Sequence, residues 1–329
     1  MLSIAILDDY QNVALELADW SVLGSDARIT VHNRPIADAD ELVGVLQDAE
    51  VVVLMRERTA FPRSVIERLP QLRLIVTSGM RNPAIDLVAA AARGITVCGT
   101  EYHDISHSTV ELTWGLILAQ ARDIARQDAS VRQGEWQLGI GRQLHGRTLG
   151  VVGLGRLGTA VARIGAAFGM KTLAWSPNLT AERAAAAGVE MAASKIDLMA
   201  RADVVSLHLV LSERTRHIID GAALAAMKPD GVLINTARGP LVDTAALLAA
   251  LEAGSIGGAA IDVYDAEPLP PAHPLRTAPR TVLTPHLGYV TREQYQIYYS
   301  QIVEDIAAFQ AGRPLRQLAV ASTNQKERT

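Results

Sequence analysis

The sequence predicts an α/β protein built on two doubly wound parallel sheets, and three observations predict it. Eleven short apolar runs alternate with helical patterns along the chain. Most of the runs are rich in β-branched residues and lack in/out alternation, as strands buried on both faces of a parallel sheet do. Eleven strands are too many for one comfortable open sheet, whereas two sheets, with five runs before residue 100 and six after it, accommodate them.

The first five runs are "SIAIL", "RITVH", "VVVL", "RLIVT" and "ITVCG"; the next six are "TLGVVG", "KTLAW", "DVVSLH", "GVLINT", "GAAIDV" and "TVLTPH". Between the groups "HSTVELTWGLILAQARDIARQ" reads as one long helical stretch, with no Gly or Pro except Gly115. A last apolar helix spans Thr291 to Gly312. It follows the final strand of the second group, a position from which it can return to the first domain and make that domain discontinuous. The boundaries expected are residues 1–101 with 291–329 for one domain and 102–290 for the other. The tail "STNQKERT" is polar and reads as frayed.

Composition excludes several classes of function. A length of 329 residues suggests two domains at roughly 100–200 residues each. With 49% hydrophobic and 20% charged residues the chain is far from a disordered composition. A net charge of −4 and a pI of about 6.1 leave no basic footprint for nucleic acid or an acidic membrane. "MLSIAILDDY" lacks a basic leader and reaches acids by Asp8, so it reads as a first strand and not a signal peptide. No run of about 18 apolar residues suggests a membrane span. The single Cys98 cannot form an internal disulfide, and within "ITVCGT" it reads as a buried strand residue; no metal site is expected. A cytoplasmic α/β protein is the expectation.

"GVVGLGRLG" carries the first chemical signal. Gly153, Gly155 and Gly158 follow an apolar strand and precede "RLGTAVARIGAAFG", a good helix. In that context the first glycine turns the chain, the second lets backbone approach a pyrophosphate, and the third packs helix on strand. The amides of Arg156 and Leu157 are the expected phosphate donors. About 20 residues further on, such units place an acid on the adenosine ribose. Here 176 − 158 = 18 residues lead to Ser176, followed by Pro177 and Asn178. Serine bonds to a hydroxyl or a phosphate and repels neither, while Arg183 is the nearest downstream cation. The usual reason to exclude NADP is therefore gone, and the sequence leans toward NADPH being accepted at least as well as NADH.

Three strand-end segments of the second group supply reactive groups, where ligands bind in open α/β sheets. "NTARGPLVD" offers Arg238, "IDVYDAEP" offers Asp262, Asp265 and Glu267, and "TPHLGY" offers His286. A dehydrogenase acting on a 2-keto acid needs a planar fork for the carboxylate, which arginine provides. It also needs a proton donor available near neutral pH, which histidine provides, and a carboxylate to orient that donor. Taken singly, Arg238 also reads as a surface ion pair, Glu267 as solvated and His286 as a strand cap.

The ordered set "GVVGLGRLG", "VVSLH", "MKPDGVLINTARGPLVD", "GAAIDVYDAEP" and "TPHLGY" resembles the D-isomer-specific 2-hydroxyacid dehydrogenase family over nearly the whole chain. The resemblance implies a flavodoxin-like substrate domain, split in sequence, hinged to an NAD(P)-binding Rossmann domain. It implies that Arg238 binds substrate carboxylate and carbonyl, that His286 is the acid/base and that Glu267 is its partner. Asp262 would hold the nicotinamide carboxamide, with His208 to Val210, Thr215, Thr236, Ala237, Arg238, His286 and Gly288 near the cofactor. In the first domain "VTSGMRNPAID" resembles the family's substrate loop, whose amides meet the carboxylate; Ser78, Gly79 and Met80 fall there, with Arg81 a further charge. Arg58 either faces the cleft or is solvated, and Arg56 reads as a solvated arginine. A homodimer through the cofactor domains is implied, with "RQGEWQLGIGRQLHGRTLG" contributing. Two positions depart from the family pattern: Val210 stands where a proline is usual, and Ser176 where NAD-dependent members have an acid.

The implied activity is an NAD(P)H-dependent reduction of a small 2-keto acid of the glyoxylate or hydroxypyruvate type, or the reverse oxidation. Phosphoglycerate oxidation is an alternative and would want a cationic pocket for phosphate. Formate oxidation fits less well, because that branch carries Gln where Glu267 stands. A non-catalytic NAD-sensing protein of the corepressor type is the alternative from another class.

Overall fold

The computed structural model describes residues 2–101 and 107–319; the tail read as frayed lies outside them. The chain divides into two units, Met1–Asp104 with Thr291–Thr329 and Ile105–Val290.

The first unit holds β1 (Leu2–Ile6), β2 (Ala27–Val31), α1 (Ala39–Leu46), β3 (Val51–Leu54), α2 (Arg63–Ile66), β4 (Leu74–Thr77), α3 (Leu87–Ala92) and β5 (Thr96–Gly99). The strands lie in the order β2-β1-β3-β4-β5, and every pairing is parallel. β3 and β4 are buried at every position, which is why their sequences run apolar without alternation. Asp38 and Asp86 cap α1 and α3 by accepting from the amides of Glu41 and Ala89. The strand order reverses between β1 and β3, the switch point at which open α/β sheets take ligands.

The second unit holds α4 (His107–Arg122), α5 (Ile124–Arg132), β6 (Thr148–Val152), α6 (Arg156–Ala167), β7 (Lys171–Trp175), α7 (Ala181–Ala186), β8 (Glu190–Met191), α8 (Lys195–Arg201), β9 (Val204–Leu207), α9 (Gly221–Ala225), β10 (Val232–Asn235), α10 (Thr244–Ala253), β11 (Gly258–Ile261) and β12 (Thr281–Leu283). Its all-parallel sheet has the order β12-β11-β10-β9-β6-β7-β8, with the switch point between β6 and β9. α11 (Arg292–Gln310) then belongs to the first unit. Thr291 is its N-cap, its buried face carries Tyr295, Tyr299 and Ile302, and it packs on β4 and the turn Trp20–Leu23. Beyond it the chain joins the β5 edge: the Gly99 amide donates to Arg316 O (2.9 Å) and the Leu318 amide to Val97 O (2.8 Å).

All eleven expected strands form, and two features differ from the sequence reading. β8 was not expected; it is two exposed residues pairing with Leu173 and Ala174 at the sheet edge. The long helix before β6 is broken at Asp123, which sits in the left-handed region at φ 55°. Nothing in "ARDIAR" signals the break, since no glycine or proline stands there. Among the described residues no helix is long and apolar enough to cross a membrane. Cys98 is fully buried in β5, and burial pushes its thiol up to about 12.

Candidate active site

The glycine loop follows β6 at the switch point of the second unit. Gly153 has φ 105°, and a Cβ there would lie 2.7 Å from the His208 carbonyl after β9. A Cβ on Gly158 would stand 2.1 Å from Gly153 O, so α6 reaches the strand only because position 158 has no side chain. Gly155 is different. It is extended at φ −91°, and nothing lies within 4 Å of where its Cβ would be. Packing therefore explains Gly153 and Gly158 but not Gly155, whose bareness fits close approach by a phosphate. Gly155 is also the N-cap of α6 and gives it no side-chain cap, leaving the Arg156 and Leu157 end suited to an anion.

Around this loop, Ser176 is half-buried just past β7, and Arg183 is exposed. His208 is hydrogen-bonded through Nε2 to Ser206 Oγ at 2.9 Å, and burial pushes its pKa down to about 4, leaving it neutral at neutral pH. Val210 is 68% exposed, while its carbonyl accepts from Thr215 Oγ1 at 2.7 Å. Thr236 is buried against Thr113 (Oγ1 to Oγ1 2.8 Å), and the half-buried Ala237 donates its amide to Asn235 Oδ1.

Three neighbouring strand ends carry the polar groups. After β10, Arg238 is half-buried; Nη1 donates to Ala237 O at 2.7 Å, and its own carbonyl accepts from Asn235 Nδ2 at 2.9 Å. After β11, Glu267 takes the Tyr264 amide on Oε1 at 2.9 Å and meets His286 Nδ1 with Oε2 at 2.5 Å. With the carboxylate accepting at Nδ1, the free ring nitrogen is Nε2. After β12, His286 sits in the left-handed region at φ 56°, its amide donating to Asp262 O at 2.8 Å. The Tyr289 ring lies edge-on to the imidazole, with centroids 5.3 Å apart. A non-glycine residue held there is strained, and such strain clusters at functional sites.

Asp262, expected to meet a nicotinamide, is fully buried and engaged with the loop after β12. Oδ1 accepts from Thr284 Oγ1 (2.6 Å) and the Leu287 amide (2.7 Å), and Oδ2 from the Gly288 amide (3.0 Å). Burial pushes its carboxyl pKa up, while the Thr284 and Leu287 bonds and the neighbouring His286 pull it down. The acid therefore clamps the loop that presents His286, a function its place in the motif did not reveal. Asp265 turns away and accepts from Thr244 Oγ1 at 2.7 Å.

In the first unit the loop after β4 departs from expectation. The amides of Ser78 and Gly79, expected to meet a carboxylate, already donate to Leu54 O (3.0 Å) and Thr100 Oγ1 (2.8 Å). Their loop is folded back on its own sheet: Ser78 is buried, Gly79 is half-buried and Met80 is 42% exposed. Arg56 is not the solvated arginine expected. It has φ 54°, its side chain is 24% exposed, and Nη1 lies 3.0 Å from where a Gly79 Cβ would stand. Asn82, missed in the sequence, holds this arrangement by donating to Arg56 O (2.6 Å) and Thr77 Oγ1 (2.8 Å). Arg58 donates to Asp8 O (2.9 Å) and Tyr295 Oη (3.3 Å) and lies 4.6 Å from the Tyr10 ring centre. Arg81 is exposed.

Residues 114–288 match the family model described as D-isomer specific 2-hydroxyacid dehydrogenase, NAD binding domain. The chain belongs to the D-isomer-specific 2-hydroxyacid dehydrogenase family. A D-3-phosphoglycerate dehydrogenase of Methanocaldococcus jannaschii is 40% identical over 269 residues, covering 81% of this chain and 51% of the relative. A glyoxylate reductase of Aeropyrum pernix is 38% identical over 258 residues, 76% of each chain. The structure of a phosphoglycerate oxidoreductase from Vibrio cholerae superposes with a TM-score of 0.89 at 38% identity, covering 95% of this chain and all of that one. The chain spans about half the length of the curated phosphoglycerate dehydrogenases it matches. Within the family frame, the glycine loop of the second unit fits a nicotinamide dinucleotide, on the evidence of the bare Gly155.

Proposed function

We propose that the chain is an NAD(P)H-dependent 2-keto acid reductase, running in reverse as a D-2-hydroxy acid dehydrogenase. The observation that carries the reading is the Glu267–His286 contact at 2.5 Å beside the half-buried Arg238, on consecutive strand ends of a dinucleotide-binding sheet. A bound nicotinamide supplies or accepts the hydride. Gly155 with the Arg156 and Leu157 amides would hold its pyrophosphate, and Ser176, His208 and Thr236 would line its path. Arg238 fixes the substrate carboxylate with its planar fork and polarises the carbonyl. As the keto carbon gains hydride, the carbonyl electron pair moves to oxygen, and that oxygen takes the proton from His286 Nε2. Glu267, meeting Nδ1, fixes the orientation of the ring so that Nε2 faces the reacting oxygen; solvent then restores the proton. Asp262 keeps the His286 loop in register. For the first unit we propose substrate contacts from Met80 and Arg58, the Ser78 and Gly79 amides being engaged by Leu54 O and Thr100 Oγ1. We also propose that NADPH is accepted at least as well as NADH, and that the chain is a homodimer through its second unit.

A second reading, oxidation of a phosphorylated 2-hydroxy acid, is favoured by Arg56 and Arg58 together after β3, with Arg81 after β4. The test is steady loss of reduced-nicotinamide absorbance over a panel of glyoxylate, hydroxypyruvate, pyruvate, bulkier keto acids and phosphohydroxypyruvate, with both cofactors. Turnover only with the phosphorylated acid selects the second reading. No turnover with any, despite dinucleotide binding, refutes both and favours a nucleotide-sensing protein.

A further inference from the structure

We propose that Arg183 reads the adenosine 2′-phosphate, so that the second unit selects NADP(H) over NAD(H). This rests on the reading above that a dinucleotide lies on the loop Gly153–Gly158. In a sheet whose switch point follows β6, the pyrophosphate meets the loop after that strand and the adenosine ribose reaches the end of the next, β7. The Arg183 side chain spans those two loops. Nη2 donates to Leu154 O inside the glycine loop, and Nη1 donates to Asn178 O in the loop after β7, both at 3.4 Å.

Both bonds are at the long limit for N–H···O contacts, so they station the guanidinium at the ribose corner without consuming it. A guanidinium has five donors in a fixed fork, and two weak bonds to carbonyls leave donors for a dianion. Ser176 supplies a neutral hydroxyl at the end of β7, and no carboxylate occupies 176–178 to repel a phosphate. The carboxylate next to Arg183 in sequence is the exposed Glu182, whose pKa is held down by its own amide and by Thr180. That carboxylate is fully in solvent, where repulsion is screened, whereas a forked contact to phosphate is charge-assisted and directional. Attraction therefore outweighs repulsion here. Pro177 makes the loop between Ser176 and Asn178 stiff, so the corner is preformed.

The competing role for Arg183 is a staple between two loops, and binding distinguishes the two. The experiment titrates the full-length protein with NADPH, NADH, 2′,5′-ADP and ADP by calorimetry, with thermal melts of each ligand-free variant. The wild type should bind NADPH more tightly than NADH, and the preference should fall with added salt. Arg183→Gln should weaken NADPH and 2′,5′-ADP by about 10- to 100-fold, the range for a charge-assisted bond to phosphate. NADH, ADP and the melting temperature should stay near wild-type values, and Arg183→Lys should recover part of the loss. Ser176→Asp should reverse the preference, chiefly by harming NADPH. Parallel loss of both dinucleotides in Arg183→Gln, with a lowered melting temperature, would show a staple and overturn the proposal. So would a wild type that binds NADH as tightly as NADPH. Binding of neither dinucleotide by the wild type would overturn it together with the dinucleotide reading on which it rests.

Discussion

Replacing two glycines of one loop by alanine should produce opposite failures. At Gly155 the added methyl meets nothing within 4 Å, and the extended backbone at φ −91° suits alanine. The folded state should lose only the N-cap difference between glycine and alanine, about 1 kcal/mol or less. The methyl would instead stand where backbone must approach the pyrophosphate, so the cost should fall on the bound state. At Gly158 the methyl would lie 2.1 Å from Gly153 O and 3.0 Å from a Val151 methyl. An alanine there must push α6 off β6, and overpacking of this kind typically costs about 1–3 kcal/mol, with backbone as the obstacle toward the upper end. The measurements are thermal or urea unfolding without ligand and calorimetric titration with NADPH. Gly155→Ala should unfold close to wild type and bind at least about tenfold more weakly, the equivalent of one lost hydrogen bond to a charged group. Gly158→Ala should be clearly destabilised before any ligand is added. A Gly155→Ala protein that binds NADPH with wild-type affinity would refute the assignment of that glycine to the cofactor.

His286→Ala should lower kcat by about 10²–10⁴, the usual contribution of general acid–base catalysis, with dinucleotide affinity retained; near-normal turnover would rule out the mechanism. Arg238→Lys should mainly raise KM for the keto acid, because a point charge replaces a bidentate fork, and steady-state kinetics at saturating cofactor reads the split. Asp305 gives a pH prediction: burial pushes its carboxyl up to about 7 although Arg316 Nε lies 3.1 Å away. Its folded form holds a proton that the unfolded chain releases near 3.8, so its stabilising contribution is full below that value and is lost as the pH rises through about 7. Asp305→Asn should accordingly flatten the fall in melting temperature between about pH 4 and pH 7, and an identical slope in both proteins would contradict it. Trp136 and Ile140 are 77% and 101% exposed within the stretch expected to dimerise, so Trp136→Ser with Ile140→Ser should shift sedimentation from dimer toward monomer.

The parallel strands were legible because burial on both faces leaves unbroken β-branched runs, as in "VVVL" and "LIVT". The glycine loop and the Arg238, Glu267 and His286 set were legible because each chemical type sits just past such a run. β8 was not, since two exposed residues at a sheet edge carry no apolar pattern. The break at Asp123 was not, because a left-handed aspartate is a local event with no glycine to announce it. Asn82 and the bonds of Ser78 and Gly79 depend on which strand ends lie side by side, which follows from the order β1-β3-β4-β5 and not from any local pattern. Asp262 is the most instructive case. A motif identifies an acid at a strand end, but whether it faces a ligand or its own backbone depends on the neighbouring loop.

That neighbouring loop explains why three strand ends act as one device. A Cβ on Gly239 would lie 2.1 Å from the Tyr264 carbonyl carbon, so the loop bearing Arg238 presses directly on the loop bearing Glu267. Tyr264 in turn gives its amide to Glu267 and its hydroxyl to Ile261 O (3.1 Å) and Thr284 O (2.9 Å), spanning β11 and β12. Burial pushes that hydroxyl up to about 12, so it stays protonated, and a donor, near neutral pH. Asp262 closes the circuit by binding the amides on the far side of His286. Glu267 and His286 are thus held against each other across neighbouring strand ends, while the Arg238 guanidinium is held to its own loop through Ala237 O. Hydride and proton transfer demand placement to a fraction of an ångström, and a site on packed strand ends meets that demand better than one on independent loops. The left-handed backbone at His286 is the conformation this circuit imposes. The Asp262 carboxylate, accepting from the Leu287 and Gly288 amides, and the Asp262 carbonyl, accepting from the His286 amide, hold it there, so the strain is borne by the clamp and not by the imidazole.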